Sequence, residues 1–178
     1  MQKLIIAGLA LALSLSSAAA ALKVGAAAPD FTAPATLGGK EYTFALADAL
    51  KKGPVVLYFY PAAFTKGCTI EAHEFADAMP TFEALGVTVI GVSHDTIATL
   101  DKFSTTECRS KFPVAADADQ HIMTAYDAVL SAHPEYANRT SYVIVPDGHI
   151  IAEYIDLDTT RHVDMMLGAI AQWKAGQK

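Results

Sequence analysis

The stretch Pro61-Ala62-Ala63-Phe64-Thr65-Lys66-Gly67-Cys68 follows the apolar run Val55-Val56-Leu57-Tyr58-Phe59-Tyr60 and leads into Thr69-Ile70-Glu71-Ala72-His73-Glu74-Phe75. The β-branched and aromatic run has strand length, Pro61 breaks it, and the pattern beyond suits a helix. The segment therefore reads as a buried strand, a tight loop and a helix start. Cys68 falls in the first turn of that helix, where unpaired backbone N–H groups and the positive end of the helix dipole favour a thiolate over a thiol. A reactive cysteine at the tip of a buried strand is the feature from which the rest of the chain is read.

Upstream, Met1-Gln2-Lys3, an apolar run over 4–15, Ser16-Ser17 and Ala18-Ala19-Ala20-Ala21 make a charged start, a short apolar core and a small-residue end. This is a secretory signal pattern, too short for the roughly 20 residues that span a bilayer. We assign residues 1–20 to a signal peptide, cut after Ala20 or Ala21, and residues 21–178 to one domain in the periplasm or outside the cell. No membrane association is expected once the leader is removed. The segment 22–35, with Pro29 and Pro34, reads as irregular, and Leu37-Gly38-Gly39-Lys40-Glu41 as a turn into a short strand at 42–44. A short helix over 45–52 ends at Gly53-Pro54.

Downstream, the spacing predicts a helix over 68–85 with Ile70, Phe75, Ala78, Phe82 and Leu85 inward, Pro80 inside it and Gly86 ending it. A second buried strand follows over 87–93, then a helix from Thr96 to about Cys108 with Ile97, Leu100 and Phe103 on one face. A short extended piece over 112–115 and a short helix over 119–126 come next, and 127–138 shows no pattern. Pro146-Asp147-Gly148 between two apolar runs predicts a hairpin, since Asp-Gly supplies the positive φ such turns demand. A last helix over 161–173 places Val163, Met166, Leu167, Ile170 and Trp173 on one side. Strands alternating with crossover helices, then a late hairpin, predict a three-layer α/β domain with a mixed central sheet. Sites in such sheets lie beyond the carboxyl ends of the strands, where Cys68 sits.

The 178-residue chain carries a formal charge of −6, and its few lysines and arginines are scattered, so it offers no footprint for nucleic acid. Its two cysteines, Cys68 and Cys108, in an exported chain could form a structural bridge worth roughly 4 kcal/mol by loop entropy. Against that, a domain of this length needs no staple, and Cys68 occupies a loop that makes it reactive.

Pro61, Thr65 and Cys68, spaced Pro-x-x-x-Thr-x-x-Cys after a strand, resemble the peroxidatic signature of the peroxiredoxins in the AhpC/TSA superfamily. The surrounding YFYPAAFTKGCTIEAHEF (58–75) is most similar to the bacterioferritin-comigratory, or peroxiredoxin Q, branch. Family-like segments recur in order at Lys23-Val24-Gly25, Ala28-Pro29-Asp30-Phe31, Gly91-Val92-Ser93 and Asn138-Arg139-Thr140-Ser141-Tyr142-Val143-Ile144. The resemblance implies a thioredoxin-like fold with an added N-terminal segment and a helical insertion. It also implies a thiol-dependent peroxidase acting on hydrogen peroxide and organic hydroperoxides, recycled by thioredoxin or another thiol reductant.

In that chemistry Cys68 attacks one peroxide oxygen and the other leaves as an anion, so donors must face first sulfur and then oxygen. The resemblance places Thr65 and Arg139 there as donors, makes Pro61 the residue that shapes and dries the loop, and makes Glu71 a candidate orienter of Arg139. The bare alternative for Glu71 is a solvated first-turn acid. The sulfenic acid formed on Cys68 needs a second thiol. Many members of the branch place that thiol five residues after the first, where this chain has His73, so Cys108 is the candidate resolving cysteine. The alternative is a one-cysteine enzyme with Cys108 a buried free thiol.

Other chemistries are weaker. His73 with His94, His121 or Asp95 has no metal-ligand spacing and reads as solvated, and His73, five positions along a helix, points away from Cys68. Neither a metal site nor a Cys-His hydrolase is expected. Tyr126 and Trp173 read as core, and Gly38-Gly39 and Gly91 lack a phosphate-loop context, so no cofactor is expected. A disulfide oxidoreductase would want Cys-x-x-Cys, whereas Thr69-Ile70-Glu71 follows Cys68. A non-enzymatic peroxide sensor on the same cysteine is the alternative carried forward, and both a monomer and a homodimer fit the sequence.

Overall fold

The computed structural model describes residues 21–177; the assigned leader, 1–20, lies outside them. The strands are β1 (Thr32–Leu37), β2 (Lys40–Ala45), β3 (Val55–Phe59), β4 (Thr88–Ser93), β5 (Val114–Ala116), β6 (Thr140–Ile144) and β7 (Ile150–Ile155). The helices are α1 (Leu46–Leu50), α2 (Lys66–Ala84), α3 (Ile97–Thr106), α4 (His121–Ala125) and α5 (His162–Ala175), the last entered through a 3₁₀ turn, Thr159–Arg161. The strands form one sheet in the order β2-β1-β5-β4-β3-β6-β7. β3, β4 and β5 run parallel, and the remaining pairings are antiparallel.

β3 is buried on both faces, and the period of two in a strand splits its side chains between two cores. Leu57 and Phe59 join Ile90, Val92, Tyr126 and Tyr142 on the face covered by α1 and α4. Val56, Tyr58 and Tyr60 join Phe75 and Phe82 of α2, Leu100 and Phe103 of α3, and Met166 and Ile170 of α5 on the other. This is the expected three-layer arrangement with a mixed sheet. Tyr58 stacks on Phe75 at 4.3 Å between ring centroids. Gly91, on the neighbouring strand, leaves room for that ring: a Cβ there would lie 2.7 Å from it. Both cysteines belong to this second core, around the stacked rings of Tyr58 and Tyr60.

Four expectations need correction. The segment expected to be irregular through residue 35 contains most of β1, paired in full with β2 and briefly with β5. Its inward positions are Ala33 and Ala35, too weakly apolar to announce an alternation, and Pro34 lies just before β5 pairing begins at Ala35, where its missing N–H is least costly. Ile70, expected inward, is 41% exposed. The buried face of α2 is Cys68, Glu71, Ala72, Phe75, Ala76, Met79 and Phe82, a stripe disguised by a buried acid and small residues. The third helix stops at Thr106, so Cys108 lies in the turn beyond it. Trp173, with Val163 and Leu167, is only half-buried, whereas Tyr126 is fully buried and donates to the Pro29 carbonyl at 2.7 Å. The Asp147-Gly148 hairpin forms as expected, with Gly148 at φ 83°.

Candidate active site

The loop after β3 is held from both sides. The Tyr60 N–H donates to the Val92 carbonyl at 3.1 Å, which carries the chain past the end of β3 beside β4. The Ala63 N–H then donates to Asp95 Oδ2 at 2.7 Å, and the Ser93 hydroxyl donates to the same oxygen at 2.8 Å. Phe64 takes a left-handed φ of 65° and sets its ring edge-on to Phe103 at 5.3 Å. Pro61, half-buried, opens this loop at the end of the strand.

Thr65 is the N-cap residue of α2 but makes no side-chain capping bond. Its hydroxyl donates instead to the Ala62 carbonyl at 3.0 Å, so donation from Thr65 to a peroxide requires that bond to be released. The first-turn N–H groups are thus left uncapped by Thr65 and available to an anion. Cys68, the third residue of the helix, is reduced and 2% exposed.

Arg139 reaches this turn because β6 runs antiparallel to β3, with Phe59 opposite Thr140. The residue before Thr140 therefore lies beside the start of the cysteine loop. Asn138 fixes its backbone, since Asn138 Oδ1 accepts from the Arg139 N–H at 2.9 Å. The Arg139 guanidinium is buried, with Nη2 donating to Cys68 Sγ at 3.6 Å and Nη1 donating to Glu71 Oε2. A planar fork thus bridges the sulfur and a carboxylate one helical turn apart. Gly67 makes space for it, since a Cβ there would stand 3.0 Å from Nη2.

Glu71 is completely buried, which removes the solvated-acid alternative. Burial pushes its carboxyl up to about 8 even against the pull of Arg139. Behind Glu71 lies His162, also completely buried, which the sequence did not single out. Its Nε2 donates to the Asp156 carbonyl at 3.0 Å, which leaves Nδ1 to accept from the Ser141 hydroxyl at 2.8 Å. Nδ1 stands 3.8 Å from Glu71 Oε1, and burial followed by Arg139 holds His162 below its ordinary value despite the Asp156 carbonyl. A buried histidine and the loop-bracing role of Asp95 are tertiary facts; only their polarity inside apolar surroundings hinted at them.

Cys108 is fully buried, and burial pushes its thiol far above the usual range. Burial raises the phenols of Tyr58 and Tyr60 well above their ordinary value, and both rings share the buried cluster that holds Cys68 and Cys108. His73 does not face Cys68. Contrary to its reading as solvated, it is half-buried and meets Glu107 Oε2 through Nε2 at 3.0 Å. His94 is half-buried and edge-on to Tyr136 at 4.8 Å. Among the described residues no group of three or more His, Cys, Asp or Glu is placed to hold a metal ion.

The site can stabilise an anion at Cys68 with a fixed cation and helix N–H groups, in a nearly dry setting. Comparison with known proteins agrees with that chemistry. The AhpC/TSA family model matches residues 24–153. Peroxiredoxin Bcp of Escherichia coli is 30% identical over 151 residues, 82% of this chain and 94% of that protein. Peroxiredoxin Bcp of Xanthomonas campestris is 29% identical over 65% of this chain and 75% of its own length. Among solved structures, peroxidoxin BcpB of Mycobacterium tuberculosis superposes with a TM-score of 0.77 and 28% identity, covering 85% of this chain and 97% of that one. The reduced 2-Cys peroxiredoxin of Plasmodium vivax shares the fold with a TM-score of 0.77. With its thioredoxin-like fold and a cysteine–arginine site at the head of α2, the chain belongs to the AhpC/TSA family as a peroxiredoxin, a thiol peroxidase.

Proposed function

We propose that this peroxiredoxin works outside the cytoplasm, reduces hydrogen peroxide and organic hydroperoxides at Cys68, and resolves the product through Cys108 of the same chain. The Cys68 thiolate attacks one peroxide oxygen, the O–O bond breaks, and the departing hydroxide or alkoxide takes up a proton. Cys68 is left as a sulfenic acid. Cys108 then attacks that sulfur, its proton leaves with the hydroxyl as water, and a Cys68–Cys108 disulfide forms. A thioredoxin-like dithiol returns both cysteines to thiols and is itself oxidised to a disulfide. The observation that carries the reading is Arg139 Nη2 at 3.6 Å from the buried Cys68 Sγ, in a fork whose other arm is bound by Glu71. Export rests on the leader pattern over 1–20.

The complete burial of Cys108 favours a second reading, in which Cys108 stays a free thiol and another molecule supplies the resolving sulfur. A peroxide sensor would share the first step but lack turnover with a reductant. Intact mass of the mature protein, reduced and non-reduced, after one equivalent of hydrogen peroxide separates these. Loss of two hydrogens within a monomer, reversed by dithiothreitol, supports the Cys68–Cys108 pair. Gain of one oxygen with Cys108 still alkylatable would make this a one-cysteine enzyme.

A further inference from the structure

Cys108 sits between two residues that reach back to the helix carrying Cys68. Glu107 meets His73 of α2 at 3.0 Å, and Arg109 donates to Asp77 Oδ1 of α2 at 2.6 Å. His73 and Asp77 are four residues apart and so share one face of that helix. At the second clip and just beyond it the backbone is strained: Arg109 and Ser110 are consecutive non-glycine residues at φ 51° and 56°. What holds the turn in that shape is a short inventory. Glu107 N–H and Cys108 N–H both donate to the Phe103 carbonyl, at 2.9 and 3.0 Å; Ser110 N–H donates to the Ser104 carbonyl and Lys111 N–H to the Cys108 carbonyl, both at 2.9 Å; Cys108 and Phe112 are buried beneath; and the two clips close it from α2.

We infer that His73 and Asp77 are positioning residues for the resolving step, clipping the Cys108 turn shut against α2 and so setting how fast Cys108 is released toward an oxidised Cys68. The inference rests on the reading of Cys108 as the resolving thiol. Attack needs a thiolate, and a thiol at 0% exposure is held protonated by its surroundings, so the turn must open before it reacts. Polar contacts that solvent reaches count for little in global stability. Opening one short turn is different: the same small energy acts wholly on the ratio of open to closed turn, and hence on the resolution rate. Each clip should hold that rate back by about two- to five-fold. The closed turn would also lengthen the life of the sulfenic acid, during which a second peroxide can oxidise it to a sulfinic acid.

The test follows the mature protein and its Asp77→Asn and His73→Gln variants, pre-reduced and mixed with hydrogen peroxide, by acid quench and intact mass. The expected result is sulfenic acid formation at the wild-type rate, disulfide formation faster by about two- to five-fold in each variant, and correspondingly less sulfinic acid under excess peroxide. Salt of about 1 M should accelerate resolution in the wild type and leave the double variant unmoved. The exchange Asp77→Arg with Arg109→Asp should restore the wild-type rate, which a merely structural role for either residue would not do. Disulfide formation at the wild-type rate in both variants, or slower than it, overturns the inference. Absence of any intramolecular disulfide in the wild type would instead overturn Cys108 as resolver, and the inference with it.

Discussion

Arg139 touches both groups that matter, donating to Cys68 Sγ through one nitrogen and to Glu71 through another. A lysine in its place would keep the charge and lose the fork, so Arg139→Lys should lower the second-order rate of peroxide consumption by about a hundredfold, the scale of one lost anion donor. An unchanged rate would remove Arg139 from the chemistry. Behind it, Glu71 and His162 should bend the pH dependence of stability in opposite directions. Burial raises the Glu71 carboxyl to about 8 in the folded protein, so the stability it contributes is full below its unfolded value and drains as pH rises through about 8. His162 is held below its ordinary value when folded, so its contribution is present above an unfolded value of about 6.5 and is lost as pH falls below it. Urea midpoints from pH 5 to 8.5 should therefore lose their alkaline decline in Glu71→Gln and part of their acid decline in His162→Gln. Parallel curves for wild type and variants would contradict both assignments.

At the scale of elements, the active-site loop is fastened where β3 and β4 end. Asp95, just past β4, accepts from both Ala63 and Ser93, so Asp95→Asn turns an acceptor for two donors into a group that can also donate. We expect the loop to loosen, with a roughly tenfold fall in peroxide rate and a small loss of thermal stability. A rate equal to wild type would show that the loop keeps its shape without Asp95. The pairing of β3 with β4 makes a second demand. Because a Cβ on Gly91 would lie 2.7 Å from the Tyr58 ring, which is packed on Phe75, Gly91→Ala should destabilise the domain by about 1–3 kcal/mol. Denaturant unfolding of the reduced protein measures this, and a loss below about 0.5 kcal/mol would mean that the ring can move aside.

Across the whole molecule, what was legible in the sequence was what is local. The run Val55–Phe59, the cysteine loop, α2 and the Asp147-Gly148 hairpin each carry their signal in neighbouring residues, and each forms where expected within a residue or two. β1 was hidden because Ala33 and Ala35 are small and Pro34 argues against a strand. Arg139 was legible only through family resemblance, since nothing near it in the chain shows that β6 will lie antiparallel beside β3. His162 and Asp95 were not legible, because their roles exist only once α5 and the end of β4 are packed against the site. The fold thus brings Cys68, Arg139 and the Asp95-braced loop together from three distant segments, and the most direct test is at the Cys68 sulfur. Hydrogen peroxide consumption should be followed for the fully reduced protein and for Cys68→Ser and Cys108→Ser, with dithiothreitol as reductant. The account predicts rapid turnover in the wild type, a retained first oxidation in Cys108→Ser and none above background in Cys68→Ser. Full turnover by Cys68→Ser would contradict it.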